Sequence, residues 1–513
     1  MFGEKLITSI YTGTLCIKMI SGSPVYADEL RPNILIFLTD DMGSHLGALG
    51  TKGLKTPVFD QLAESGILFT LGNAPSAISS PARTTILSGM YASQHGVWRN
   101  VFPLEPTNNS EIPNEARNAL LTNLPPAVVH EVDRPAHWWP APHLGPVPRI
   151  LDTKSTLNTV LKDGGYYLGM TQKHHIGYPN RFPFDYFWKW GTPPNYVTGA
   201  QPSNYVGMKD FLKRSGNAPF FLFANLTFTH RPYHRFERLT AIERTNPADV
   251  DVPPTLPDTQ KTREDIAAYY DTIRIMDEQA GEILAALRDS GRLDNTIIIF
   301  MPDQGAEYNR GKCTVYEGGI TIPIIISGPG IQSRGRVDEM ISQIDLAPTL
   351  IEMAGLPAPV NMTGYSFKKY LSGEMKQSPR KYSFGLFNQP VRNLTVDYPS
   401  RSIRNDRYKY ILNTNPERTY ELTPDMDTPG SPWFNIAYGE LMKNAKQFPV
   451  AYESAQALFK RPKEEFYDLQ SDPYELNNLI EAKLSGEQQQ ILNELKSRLK
   501  LWMDECSDQG NVM

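Results

Sequence analysis

The residues from Asn33 to Thr39 (NILIFLT) form an almost unbroken apolar run, bounded by Pro32 on one side and Asp40-Asp41 on the other. A run that does not alternate predicts a strand buried on both faces, as in a parallel sheet. Phe220 to Leu226, Ile297 to Met301 and Ile322 to Ser327 read the same way. Helical signals lie between them. Thr56-Pro57, then VFDQLAES and Gly66, predict a helix with an N-cap, a proline in its first turn and a glycine stop. Ser155 to Asp163 predicts a second, ended by Gly164-Gly165. Ile266, Tyr269, Ile273, Met276, Ala280, Ile283 and Leu287 advance by threes and fours and mark a long amphipathic helix. Strands alternating with helices predict an α/β fold with a large, mostly parallel central sheet covered on both faces.

After about residue 360 the pattern changes. Ser402 to Leu412 (SIRNDRYKYIL) alternates around a polar Asn-Asp break and predicts an antiparallel hairpin. Phe466 to Leu479 reads as a strand and an Asp-Pro turn, and Gly486 to about Trp502 as a terminal amphipathic helix. At 513 residues the chain is long enough for a large domain with a smaller partner. The expected division is residues 28–360 for the main domain and 361–513 for an α+β subdomain with an antiparallel sheet. Residues 101–150 are Pro-rich, lack periodicity and hold Trp138-Trp139, which reads as a functional loop.

Composition narrows the class. The formal net charge is −5, so no basic field favours nucleic acid, and any polyanion binding must be local. Lys5, the apolar stretch Leu6 to Ile20 and Val25-Tyr26-Ala27 predict a secretory signal over residues 1–27, interrupted only by Lys18. No other run approaches the ~20 apolar residues of a membrane helix. The expectation is an exported protein, periplasmic or secreted, with no membrane span. Cys16 lies in the signal, and no CxxC indicates a thiol redox or zinc site. A disulfide between Cys313 and Cys506 stays open.

Candidate chemistry begins at Ser79-Ser80-Pro81-Ala82-Arg83, where an apolar turn follows and Gly89 ends it. As plain structure, this is a loop entering a helix with a serine N-cap. It also sets a permanently charged guanidinium one turn from a hydroxyl at a helix N-terminus, a pocket for a tetrahedral oxyanion. Asp40-Asp41 and Asp303-Gln304 each follow a predicted strand. Singly they read as helix caps or solvated acids. Together they offer oxygen-only ligands suited to Ca²⁺ or Mg²⁺.

SSPARTTILSG resembles the signature of the sulfatase family in the alkaline phosphatase superfamily. NILIFLTDDMG resembles that family's first strand and metal pair, and GGYYLGMTQKHHIG its Lys-x-His-x-Gly segment. FFLFANLTFTHRPY resembles the segment bearing a catalytic histidine, and FMPDQGAEYNRGKCTVYEGG the second metal pair. IDLAPTLIEMAGL and FYDLQSDPYELNNL extend the likeness over almost the whole chain. The resemblance implies that Ser79 is oxidised to formylglycine by a separate serine-type maturase. The aldehyde hydrate then takes sulfate on one hydroxyl and ejects it by collapse of the other. Asp40, Asp41, Asp303, Gln304 and the modified Ser79 would bind Ca²⁺, with Mg²⁺ the alternative. Arg83 would hold the hydrate, Lys173 and Lys312 the sulfate oxygens. His175 would serve as base and His230 would protonate the leaving group. His95 matches a structural position. Gln304 in place of Asn or His, His174 in place of Trp, and the spacing before Lys312 depart from the pattern.

KHHIGYPNRFPFD and RPKEEFYDLQSDPYE look most like the heparan N-sulfatase (sulfamidase) group, which implies a sulfated glycosaminoglycan-type substrate, N-sulfoglucosamine included. Two rivals stand beside this: a phosphate or phosphonate ester hydrolase using unmodified Ser79, and a non-catalytic glycan-binding protein. The sequence carries no signal for oligomeric state. If Trp138 and Trp139 form a sugar-stacking wall, changing both to Ala raises KM for a sulfated oligosaccharide and spares a small aryl sulfate. Equal losses on both substrates count against the wall.

Overall fold

NILIFLT is strand β1 (Asn33–Thr39), with every residue buried. Its side chains alternate between two cores. Leu35 and Phe37 join one, with the long helix Gln260–Asp289 and helix α1 (Pro57–Ser65). Ile34, Ile36 and Leu38 join the other, with helix α2 (Ser79–Ser88) and the helix Leu346–Met353. Burial on both faces accounts for the unbroken apolar run. The computed structural model describes residues 31–100, 155–173, 175–176, 182–188, 204–233, 244–388, 398–419 and 436–510. The expected signal, Trp138, Trp139 and His174 lie outside them.

The other strands of the large sheet are β2 (Ile67–Asn73), β3 (Tyr167–Thr171), β4 (Tyr186–Trp188), β5 (Phe220–Leu226), β6 (Thr296–Pro302), β7 (Thr321–Ser327) and β8 (Gly335–Ser342). Their order is β4-β3-β5-β1-β6-β7-β2-β8. β4, β3, β5, β1 and β6 run parallel, β2 and β8 pair parallel, and β7 is antiparallel to both its neighbours. β3, β5, β1 and β6 therefore end at one edge, where ligands collect in such sheets. A second, antiparallel sheet contains β9 (Ser383–Phe387), β10 (Ser400–Arg404), β11 (Tyr408–Asn413) and β12 (Glu464–Asp468) in the order β12-β11-β10-β9. The polar break makes the hairpin turn: Asn405 Oδ1 accepts from the amides of Arg407 and Tyr408. The terminal helix Gly486–Glu505 packs on this sheet, with Trp502 stacked 4.8 Å from Phe384.

Two local readings shift. Ser79 is the first residue of α2, and extended Ile78 holds the N-cap position. Thr56 holds the N-cap position of α1, but its hydroxyl turns away, accepting from the amide of Gly47 and donating to Asp60. The amides of Val58 and Phe59 are taken instead by the Asp277 carboxylate from the long helix. No disulfide joins Cys313 and Cys506, which are buried as thiols. Among the described residues no helix is long and apolar enough to cross a membrane.

Burial pushes the Asp277 carboxyl up to about 7, with Asp60 and Glu278 adding to the rise and the two amide donors opposing it. A raised carboxyl favours the folded state fully below the unfolded carboxylate range and loses that contribution as pH climbs through about 7. The stability of the native protein relative to Asp277→Asn is expected to fall between pH 5 and 8, by about 2–3 kcal/mol. Paired urea denaturation across that range checks it, and a flat difference contradicts it.

Candidate active site

Strand ends and one helix start build the site. Asp40-Asp41 follow β1, Asp303-Gln304 follow β6, Lys173 and His175 follow β3, and His230 follows β5. Ser79 opens α2, a helix buried at all ten positions. Asn100 Oδ1 accepts from the amide of Ser80 and holds that end in place. One turn on, Arg83 is fully buried. Its Nε donates to Asp303 Oδ2 at 3.1 Å, its Nη2 to Asp40 Oδ1 at 3.1 Å, and its Nη1 to Asn225 Oδ1.

Among the described residues, the candidate catalytic and metal-ligating side chains of the sequence analysis meet at this edge. Lys173 Nζ donates to both Asp40 carboxylate oxygens at 2.8 Å. Ser79 Oγ lies 3.3 Å from Asp40 Oδ1, 3.2 Å from Gln304 Nε2 and 3.4 Å from Lys173 Nζ. Lys312 Nζ donates to Asp41 Oδ2 at 2.6 Å, and the amide of Asp41 donates to Asp303 Oδ1 at 3.0 Å. Asp41 and His175 have φ of 51° and 39°, left-handed values that cost non-glycine residues energy and that surrounding contacts must hold.

The donor set fits a hard cation. Asp40, Asp41 and Asp303 are buried carboxylates in one cluster. Gln304 Nε2 is bonded to Asp41 and Ser79, while its buried Oε1 has no hydrogen-bond partner among the described residues. A buried amide oxygen beside three carboxylates is a ligand set for Ca²⁺ or Mg²⁺. Oxygen and nitrogen atoms of Asp40, Asp41 and His230 also lie within 4.8 Å of one another. His230 Nε2 is 3.7 Å from Asp41 Oδ2 and its Nδ1 is 3.1 Å from the carbonyl of Arg231. The ring so held carries its proton on Nδ1 and turns Nε2 toward Asp40 and Asp41.

The electrostatics divide the carboxylates. Burial works to raise Asp40, but Lys173 and Arg83 hold it well below the usual carboxylate range. Burial and then the charge of Asp40 push Asp303 well above it, which makes Asp303 the carboxylate readiest to take a proton. Burial, then Lys173 and Arg83, depress His175; burial, then Lys312, depresses His230. Both imidazoles are thus neutral bases near neutral pH. Burial opposes the charge on Lys312, but Asp41 and Glu307 raise its pKa well above the ordinary lysine value.

Three supporting residues went unnoticed in the sequence. Asn225 accepts from Arg83 and donates to the carbonyl of Thr171 at 2.9 Å. Its signal was there, a single polar residue inside FFLFANL. Gln343 Nε2 donates to the carbonyls of Pro302 and Asp303 at 3.0 and 2.9 Å, and Thr229 Oγ1 donates to that of Asp40. Neither lies in a pattern that marks it. His95 is structural, as read: its Nε2 meets Thr85 Oγ1 at 3.1 Å and its Nδ1 accepts from the amide of Val97.

Carboxylates, cations and a hydroxyl at a helix start, gathered where parallel strands end, define a hydrolase of anionic esters. The chain belongs to the sulfatase family, whose sequence model matches residues 32–356, and it is a sulfuric ester hydrolase. A second model, described as N-sulphoglucosamine sulphohydrolase, C-terminal, matches residues 308–445. An ulvan-active sulfatase of Formosa agariphila is 27% identical, covering 94% of this chain and 76% of its own length. Human N-sulphoglucosamine sulphohydrolase is 26% identical over 93% of this chain and 91% of its own. The solved phosphonate monoester hydrolase of Agrobacterium radiobacter shares the fold, with a TM-score of 0.61 at 19% identity over 93% of this chain and 96% of its own.

Asn225→Ala leaves Arg83 short of one acceptor in a dry site. It is expected to lower kcat/KM on a small aryl sulfate about 10- to 100-fold and to cost about 1–3 kcal/mol of stability. Steady-state kinetics with thermal melts check it, and native kcat/KM contradicts it.

Proposed function

We propose that the protein hydrolyses sulfate esters or sulfamates on a glycosaminoglycan-type glycan, N-sulfoglucosamine first among them. It does so through formylglycine made from Ser79 and a bound Ca²⁺, with Mg²⁺ the alternative. The observation that carries this is Ser79 Oγ at the buried start of α2, within 3.4 Å of Asp40, Gln304 and Lys173. A plain serine alcohol can accept sulfate but lacks a second hydroxyl with which to expel it. The hydrate of formylglycine supplies both hydroxyls, and the cation supplies positive charge to the anionic oxygens. The N-sulfoglucosamine preference is supported by the match over residues 308–445 and by the human relative, matched over 93% of this chain and 91% of its own length.

In this reading Asp40, Asp41, Asp303, Gln304 and the residue at 79 hold the cation. Asp303, at the end of β6 beside Asp40 and Asp41, accepts the nucleophile's proton. Arg83 neutralises the carboxylates and orients residue 79. Lys173 and Lys312 hold sulfate oxygens as point charges. Neutral His175 takes the proton that drives sulfate release, and His230 serves the leaving atom. Conversion of Ser79 falls to a separate serine-type maturase, and export through residues 1–27 places the enzyme in the periplasm or outside the cell.

The mass of the tryptic peptide over residues 56–83, taken from protein made in its native host, tests the reading. Conversion of Ser79 lightens it by about 2 Da. An intact serine in active protein overturns the mechanism and favours phosphoester or phosphonate hydrolysis. An intact serine in inactive protein favours glycan binding alone.

A further inference from the structure

The connection from β6 to β7 carries Asp303, Gln304 and Lys312, and it folds back on itself. The amide of Gly305 donates to the carbonyl of Gly319 at 2.9 Å. The backbones approach so closely that a Cβ on Gly305 would lie 1.8 Å from the carbonyl oxygen of Gly318. The amide of Lys312 donates to the carbonyl of Ala306 at 2.9 Å. Arg310 and Cys313, on either side of Lys312, have φ of 60° and 66°. Such a segment needs an external hold.

The hold comes from the second sheet. Glu317, at the turn beneath Gly305, receives Arg404 of β10 on Oε2 and Lys409 of β11 on Oε1, the latter at 2.9 Å. Lys409 has no exposed side chain and also meets Glu475 Oε1 at 3.0 Å. Glu475 Oε2 accepts from the amide of Glu317 at 2.6 Å, and its carbonyl accepts from Arg310 Nη1 at 2.6 Å. Arg310 Nε donates to Ser454 Oγ at 2.8 Å, and its guanidinium lies 4.3 Å from the centre of the Tyr316 ring. The turn and the loop on either side of Lys312 are thus pinned to elements far away in sequence.

We propose that Lys409, with Glu317 and Glu475, is a positioning residue of the sulfatase site: this buried joint lets the second sheet set Lys312 over Asp41. The proposal rests on the reading of Lys312 as a sulfate-holding cation. Removing Lys409 alone would leave two buried carboxylates facing each other. K409M/E475Q removes the pair together, keeps both volumes and leaves Glu317 to Arg404.

Unfolded protein lowers apparent kcat but leaves KM alone, so KM is the readout. With a small aryl sulfate, K409M/E475Q is expected to raise KM at least about fivefold, while K409R keeps it within about twofold. K312M alone is expected to raise KM, and adding K409M/E475Q to it is expected to change KM less than about twofold. A native KM in K409M/E475Q, or a full further rise on top of K312M, overturns the joint while leaving the Lys312 reading intact. A native KM in K312M overturns that reading and the joint with it. Should K409M/E475Q fail to accumulate, R310M cuts the link between the Lys312 loop and the carbonyl of Glu475 and is expected to raise KM alike; a native KM there overturns the proposal.

Discussion

Charge neutrality inside a largely buried cluster is the constraint on which this structure depends. Asp40, Asp41 and Asp303 are three buried carboxylates, and Arg83, Lys173 and Lys312 are the three cations that reach them. A buried ion without a partner costs several kcal/mol, so none of the six can leave its place cheaply. The six arrive on four separate segments, three strand ends and one helix. Holding them together therefore requires that β3, β1 and β6 stop at the same edge and that α2 point its first turn there. The cluster also has no charge to spare. A divalent cation added to it makes the pocket positive, the sign an anionic ester needs.

Much of this was legible in the chain. The four apolar runs became β1, β5, β6 and β7, because a strand buried on both faces has no polar face to blur the signal. The acids lie where those runs stop, which locates the site edge before any coordinate is known. The hairpin at Asn405 and the terminal helix were equally plain. Asn225 apart, whose lone polar side chain in an apolar run was a visible mark, what escaped notice has one cause: long-range partnership leaves no local mark. Gln343 supports Asp303 from forty positions away, and nothing near Gln343 announces it. Thr56 was a fair N-cap by local rules, but a carboxylate from the long helix reached the amides first. Ser79 sits one place inside its helix, where its hydroxyl faces the acids instead of its own backbone.

The second sheet looks like an accessory when only the chemistry is considered. Its bonds say otherwise. Arg380 forks onto Asp345 just after the strand that flanks β2, the amide of Leu386 donates to the carbonyl of Pro75 just before α2, and Lys409 and Arg404 grip the turn beneath Gln304. Each contact falls next to a segment that bears or supports a site residue. The match over residues 308–445 spans the same territory, starting in the β6–β7 connection and running through the hairpin. The two sheets are coupled where the site is made.

One reversed strand has an architectural consequence. In a run of parallel strands each connection must cross to the opposite edge and return, so only half of it can ever face the ligand. Because β7 runs against β6, their connection begins and ends at the edge where the acids gather. It never pays for a crossover, and all of it is available to the site. That is how one short stretch supplies Asp303, Gln304 and Lys312 together.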